Sequence, residues 1–293
     1  MKVVIIGGYG KMGRWFARAL RAEAGLDVTI AGRDEAKLRE TAQELGVECA
    51  PAAEAVKYSD AVILSLPLDS FEAICKELAP AVQHGQYIFD VTSIKTRPVE
   101  IMHKYFRGCR ILGTHPMFGP GATSVSGHRF VLTPTSAEEQ ALAVIIHRYL
   151  EERGARVSVM SPAEHDELMA IVLGLSHFIA LVSADTLLEL GKLKESEKVS
   201  GTSYRLLLTL AEAVCSEDPE LYSMLQMNLP GMAKIEELFL AKAGEWADMV
   251  KNKDERNFAM KMRELANKFR QEDPGFADAY NNAYRLLSEK ERP

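Results

Sequence analysis

One short run limits the possible folds more than any other. In KVVIIGGYGKMGRWFARAL a β-branched strand passes through Gly8-x-Gly10-x-x-Gly13 into an amphipathic helix. In such a strand–turn–helix the first glycine allows a tight turn and the second lets backbone approach a pyrophosphate. The third lets helix and strand pack closely, and the helix N-terminus faces the phosphate charge. The placement of the glycines between a strand and a helix, with a second strand following, reads as a dinucleotide-binding turn. Gly8, Tyr9, Gly10, Lys11, Met12 and Gly13 are its candidate contacts; a glycine-rich turn without a ligand is the bland alternative.

The residues beyond this turn support an open sheet. KVVIIG, DVTIAG, AVILSLP, YIFDVTS, RILGTH and RFVLTP read as strands, with ARVSVM as a seventh, and helical stretches separate most of them. The early strands are almost continuously apolar, as in a parallel sheet covered on both faces. This alternation predicts an α/β domain, a doubly wound parallel sheet of the Rossmann type. After Met160 the patterns become helical to the end. Ser161 is a fitting N-cap, with Pro162 at the first helical position and Glu164 three residues after the cap. The expected organisation is a dinucleotide-binding domain over 1–160 and an all-α domain over 161–293. The middle of that first helix is apolar on every side, so it should be buried in a bundle or a dimer interface.

Composition removes several function classes. A net charge of −6 disfavours nucleic acid and anionic membrane surfaces as partners. Cys49, Cys75, Cys109 and Cys215 are scattered, with no CxxC or Cys/His cluster, so neither a metal site nor a disulfide framework is expected. Reduced thiols and the lack of a leader-like N-terminus suggest a cytoplasmic protein. No run of about 18 apolar residues is evident, so no membrane span is expected.

The end of the second strand selects the cofactor. NAD binders usually place an acid there for the ribose hydroxyls. Here Gly32 stands at that point and Arg33 follows. An arginine beside a small residue suits a 2′-phosphate, which points to NADP. Asp34 next door leaves NAD open. Two further polar residues fall where neighbouring strands end, on the usual ligand side of such a sheet. They are Ser93 in DVTSIK and His115 in THPMFGP. From pattern alone Ser93 could cap the helix starting at Thr96, and His115 could be a turn residue facing water. His177, in the apolar LGLSHFIALV, reads equally as a core histidine, and Arg205 as a solvated or inter-helix arginine. His103, His147 and His165 lie among charged residues and read as surface; His84 and His128 sit in turns.

Taken in order, GGYGKMG, DVTSIK, THPMFGP, LSHFIALVSADTL and GTSYRLLLTLAE resemble the prephenate dehydrogenase family over about residues 2–237. The resemblance implies oxidative decarboxylation of prephenate to 4-hydroxyphenylpyruvate, with hydride transfer to NADP or NAD, in tyrosine biosynthesis. It implies His115 as catalytic base paired with Ser93, His177 and Arg205 as substrate-binding residues, and a homodimer through the helical domain. It adds no metal. Some relatives carry an acid six positions after the catalytic histidine, where this chain has Gly121. Arogenate dehydrogenase is therefore a close alternative. A β-hydroxyacid dehydrogenase or ketopantoate-type reductase would share the layout but use a lysine on the helical domain. A non-catalytic NADP-sensing regulator would keep the glycine turn without needing His115, Ser93 and Arg205 together.

Overall fold

A computed structural model describes residues 1–23 and 25–288. It divides into two compact units, Met1–Met169 and the residues from Ala170 onward.

In the first unit the elements run β1 (Lys2–Ile6), α1 (Lys11–Arg21), β2 (Asp27–Ala31), α2 (Glu35–Leu45), β3 (Glu48–Cys49), α3 (Ala52–Lys57), β4 (Ala61–Leu64) and α4 (Leu68–Leu78). They continue as β5 (Tyr87–Asp90), α5 (Thr96–Tyr105), β6 (Arg110–Pro116), β7 (Arg129–Thr133), α6 (Ala137–Glu151), β8 (Arg156–Val159) and α7 (Pro162–Met169). The strands form one sheet in the order β3-β2-β1-β4-β5-β6-β7-β8. Strand order reverses between β1 and β4, the switch point where open α/β sheets bind ligands. The continuous apolar runs have the expected cause. Val4 and Ile6 pack with Val62, Leu64, Phe71 and Met102 on one face. Val3 and Ile5 pack with Ala17, Val28, Ile30 and Leu38 on the other. Successive strand residues point to opposite faces, so both phases must be apolar.

Two features differ from the sequence reading. The two-residue β3 is an additional edge strand. More consequentially, the sheet is not wholly parallel, because β6 and β7 pair antiparallel with His115 opposite Val131. A parallel return needs a crossover, usually a helix. The chain between Pro116 and Arg129 forms only turns and loop, and Met117 N–H extends the ladder to Arg129 O at 2.9 Å. His115 thus lies inside a paired strand rather than in a turn beyond it.

The second unit is helical. A π-helical segment, Ala170–Leu175, precedes α8 (Ser176–Glu189). Then come α9 (Leu193–Glu197), α10 (Thr202–Cys215), α11 (Pro219–Asn228), α12 (Met232–Lys251), α13 (Glu255–Glu272), a 3₁₀ turn at Phe276–Asp278 and α14 (Ala279–Ser288). The cap signals are realised. Ser161 Oγ accepts from Glu164 N at 3.2 Å, and Asp218 caps α11 ahead of Pro219. Pro162–Glu189 is helical throughout and contains an 18-residue window of mean hydropathy 1.9. By length and composition that window could cross a membrane, which corrects the expectation that no such run exists. Ile171, Val172, Val182 and Leu188 in it are exposed in the single chain. A face like this calls for a covering that one copy does not supply.

Candidate active site

The glycine turn is built for close backbone approach. The left-handed residue is Gly7, at φ +81°, not Gly8. A side chain on Gly8 would run into Ile30 of β2, its Cβ 2.4 Å from the Ile30 Cβ. Gly13 leaves no room for a Cβ, which would lie 2.3 Å from Gly7 O and 2.8 Å from Gly8 Cα. That contact is the close packing the third glycine is needed for. Helix α1 starts at Lys11 with no side-chain cap on its first turn, the kind of helix start at which anions bind. Lys11 is exposed and Met12 half-buried at that helix start.

Beside the turn is a cavity of about 530 Å³ lined by Tyr9, Gly10, Gly32, Arg33, Arg39 and Ser65, among others. The Tyr9 ring lies over Gly32, 2.5 Å from where a Cβ would stand, so an acid at this strand end would displace it. Asp34 is committed elsewhere. Its carboxylate caps α2 by accepting from Lys37 N at 3.1 Å, and this backbone hydrogen bond holds it below the usual carboxylate range against a smaller opposing effect of burial. The charged groups lining the cavity are Arg33, Glu77 and the Glu35–Arg39 pair, 2.9 Å apart.

The second cluster lies at the carboxyl ends of β5 and β6. His115 is buried at 5% exposure. Its Nδ1 is 2.9 Å from Nε2 of His165, a fully buried residue of α7. His165 Nδ1 is in turn 2.8 Å from Asp166 Oδ1. The Asp166 carboxylate accepts from the backbone N–H groups of Lys95 (2.7 Å) and Thr96 (2.9 Å), and so caps α5 from 70 residues away. Beneath this chain Lys95 Nζ, with no exposed surface, pairs with the equally buried Asp90 and donates to Thr114 O at 2.6 Å. Asp90 also accepts from Thr92 N (3.1 Å) and Thr114 N (3.3 Å). Burial first, then the Lys95 charge and His165, holds His115 well below the ordinary histidine range. His115 is therefore neutral at physiological pH, with one nitrogen tied down. Its Nε2 makes no hydrogen bond with the described residues and is not among the fully occluded unpaired atoms.

Two sequence expectations change here. His115 pairs through Nδ1 with His165, not with Ser93. And His165, read as a surface residue, is central to the cluster. Ser93 is half-buried between Thr92 and Ile94. It does not cap α5, because the N-cap position is Lys95 and the capping group is Asp166. The signal that was available is YIFD: an acid ending a buried strand needs a cation, and Lys95 is the nearest one.

In the second unit His177 lies on α8, half-buried, with its ring centroid 4.4 Å from that of Tyr222 on α11. Its Nδ1 is buried with no partner, as is Oε1 of Gln226. Burial lowers its pKa. The π-helical segment just before it is pinned by Gln226 Nε2, which donates to Gly174 O at 3.0 Å. A Cβ on Gly174 would meet Met232 Sδ at 2.2 Å. Arg205 is exposed in the first turn of α10, which packs on α8. The second unit thus carries His177 and Arg205 on neighbouring helices. Gly121, in the loop after His115, has no atom within 4 Å of where a side chain would begin. Among the described residues no cluster of His, Cys, Asp and Glu could hold a metal.

Comparison with known proteins places this geometry. Residues 16–159 match the family described as prephenate dehydrogenase, nucleotide-binding domain, and residues 161–264 match prephenate dehydrogenase, dimerization domain. The probable arogenate/prephenate dehydrogenase of Methanocaldococcus jannaschii is 36% identical over 92% of this chain and 61% of its own length. The cyclohexadienyl dehydrogenase of Zymomonas mobilis is 26% identical, over 82% of this chain and 85% of its own. This chain spans about three fifths of the length of the first curated relatives. The fold matches crystalline prephenate dehydrogenase from A. aeolicus, solved with hydroxyphenyl propionate and NAD+, at a TM-score of 0.76 and 22% identity over 93% of this chain and 98% of that one. It matches Synechocystis arogenate dehydrogenase at 0.70 and 20%, over 93% and 99%. With both of its family's domains matched in order along the sequence, the chain belongs to the prephenate dehydrogenase family.

Proposed function

We propose that this protein is an NADP-dependent prephenate dehydrogenase, with the nucleotide-binding domain over 1–160 and the substrate-binding and dimerisation domain over 161–293. The observation that carries the reading is His115: neutral, buried, tied at Nδ1 and open at Nε2, at the carboxyl edge of a dinucleotide-binding sheet. A nicotinamide cofactor suits the residues present, since Gly10 would let backbone approach a pyrophosphate, Gly13 lets α1 pack closely behind the turn, and the first turn of α1 has no side-chain cap. When bound, such a cofactor would supply the acceptor for the hydride of the hydroxyl-bearing ring carbon. His115 Nε2 takes the proton of that hydroxyl as general base. The carbon–carbon bond to the ring carboxylate then breaks as carbon dioxide leaves. Its electron pair aromatises the ring, and the carbonyl oxygen recovers a proton to become the phenol. Aromatisation drives this second stage, so the site needs no strong acid. Ser93 orients the reacting groups. Arg205 holds a substrate carboxylate by charge-assisted hydrogen bonds, and His177, with an unpartnered Nδ1, hydrogen-bonds the substrate.

Tyr9 over Gly32, the commitment of Asp34 to α2, and Arg33 in the cavity lining favour a 2′-phosphate, hence NADP over NAD. The exposed apolar face of Pro162–Glu189 and the match to a dimerization domain favour a homodimer, and its free cysteines suit the cytoplasm. The test is the appearance of reduced cofactor with prephenate or arogenate, each with NADP and NAD. Turnover of prephenate with NADP is expected. Turnover of arogenate alone would move the assignment to that substrate, and absence of turnover with either would refute it.

A further inference from the structure

We propose that His165 and Asp166 are positioning residues for His115: they fix the tautomer that leaves Nε2 bare and receive the charge of the proton it takes. The inference rests on the reading of His115 as base and adds two residues that reading does not need.

With both imidazoles neutral, the chain of donors leaves one arrangement. The Asp166 carboxylate accepts the backbone N–H groups of Lys95 and Thr96 at 2.7 and 2.9 Å. Burial pushes its pKa up, but hydrogen bonds from His165, Thr96 and Lys95 outweigh this and hold it below the usual range. A carboxylate has no proton to give, so His165 Nδ1 is the donor across 2.8 Å. A neutral imidazole carries one N–H. Nε2 of His165 is therefore a lone pair, and across 2.9 Å His115 Nδ1 must donate to it. That leaves the lone pair of His115 on Nε2, the nitrogen without a hydrogen bond. The charged and titratable groups acting on His115 are Lys95 from the segment before α5 and His165 from α7, backed in turn by Asp90 of β5 and Asp166 of α7.

The same chain resolves a difficulty. Burial and Lys95 make His115 a poor place to keep a positive charge. When a hydroxyl proton arrives at Nε2, the Nδ1 proton passes to His165 Nε2. His115 ends neutral with its proton on Nε2, and the charge rests on His165 against Asp166. One proton enters and none is lost. A base whose tautomer is wrong is costly: in serine proteases the equivalent loss is about 10⁴ in kcat.

The test compares His165→Leu with His165→Gln, measuring kcat, KM for prephenate and the pH profile of kcat/KM. His115→Ala runs alongside. Gln can accept from His115 and donate to Asp166 but cannot carry the proton. Expected is a loss of roughly 10²–10³-fold in kcat for Leu with KM little changed, and recovery of about tenfold or more in Gln. The acidic limb of the Gln variant should move to lower pH, because Asp166 no longer stabilises a protonated pair. Should the Leu variant not fold, the Gln profile decides alone. Equal losses in Leu and Gln, or an unmoved acidic limb in Gln, overturn the proposal. So does wild-type behaviour in Leu while His115→Ala is inactive. Full activity in His115→Ala removes the base itself, and the relay with it.

Discussion

Replacing Lys95 with methionine should cost far more than the loss of one surface charge. Its ammonium is fully buried against an equally buried Asp90 and also donates to Thr114 O. Methionine fills similar volume but leaves the buried Asp90 carboxyl without its cation, with only the Thr92 and Thr114 donors, and strips the Thr114 carbonyl of its 2.6 Å partner. Breaking a buried pair on one side costs about 3–5 kcal/mol, against a total stability of about 5–15 kcal/mol. At about 2–4 °C per kcal/mol for a unit of this size, the melting temperature should fall by roughly 6–20 °C. Thermal denaturation followed by circular dichroism measures it. The double variant Asp90→Leu/Lys95→Met removes both charges and should recover most of the loss, since apolar replacements of buried pairs are often close to neutral. Because Thr114 immediately precedes His115, kcat should fall in Lys95→Met even below its melting temperature. A single variant melting within about 2 °C of wild type, or a double variant melting below the single, would refute the reasoning.

Two other consequences are measurable. The His115 pKa is depressed in the native state, so between its unfolded value near 6.5 and its folded value the unfolded chain binds the extra proton. Native stability should therefore fall as pH drops below about 6.5, by at most about 1.4 kcal/mol per pH unit from this group. Urea unfolding at pH 7.5 and 5.5 should show that slope reduced in His115→Asn; equal slopes would contradict it. Arg33→Ser should weaken NADP by about 10- to 150-fold, the worth of one charge-assisted hydrogen bond of roughly 1.5–3 kcal/mol, with NAD little changed. Equal losses for both cofactors would mean that Arg33 does not hold a phosphate.

Much of this was legible in the chain because it is local. The β-branched runs and the glycine spacing each depend on neighbours within a few residues, whereas the strand order is set by contacts distant in sequence. The reversal of β7 had a signal too: no helix fits between Pro116 and Arg129, and a parallel return needs one. His165 is different. Glu164, Asp166 and Glu167 around it read as a solvated helix start, yet Asp166 is turned inward by the unsatisfied N–H groups of α5, 70 residues away. Capping by a distant carboxylate leaves no periodic mark. The π-helical segment at Ala170–Leu175 was equally hidden, because a stretch apolar on all sides has no phase to break. His177 and Arg205 came from family resemblance, and Tyr222 beside His177 and Gln226 against Gly174 were found only by packing.

The central claim is that the His115 imidazole removes the substrate's hydroxyl proton. The most direct measurement is turnover of prephenate by His115→Asn beside wild type, with cofactor affinity determined separately by titration. A loss of roughly 10²–10⁴-fold in kcat with unchanged cofactor Kd is predicted. Turnover close to wild type would contradict the account.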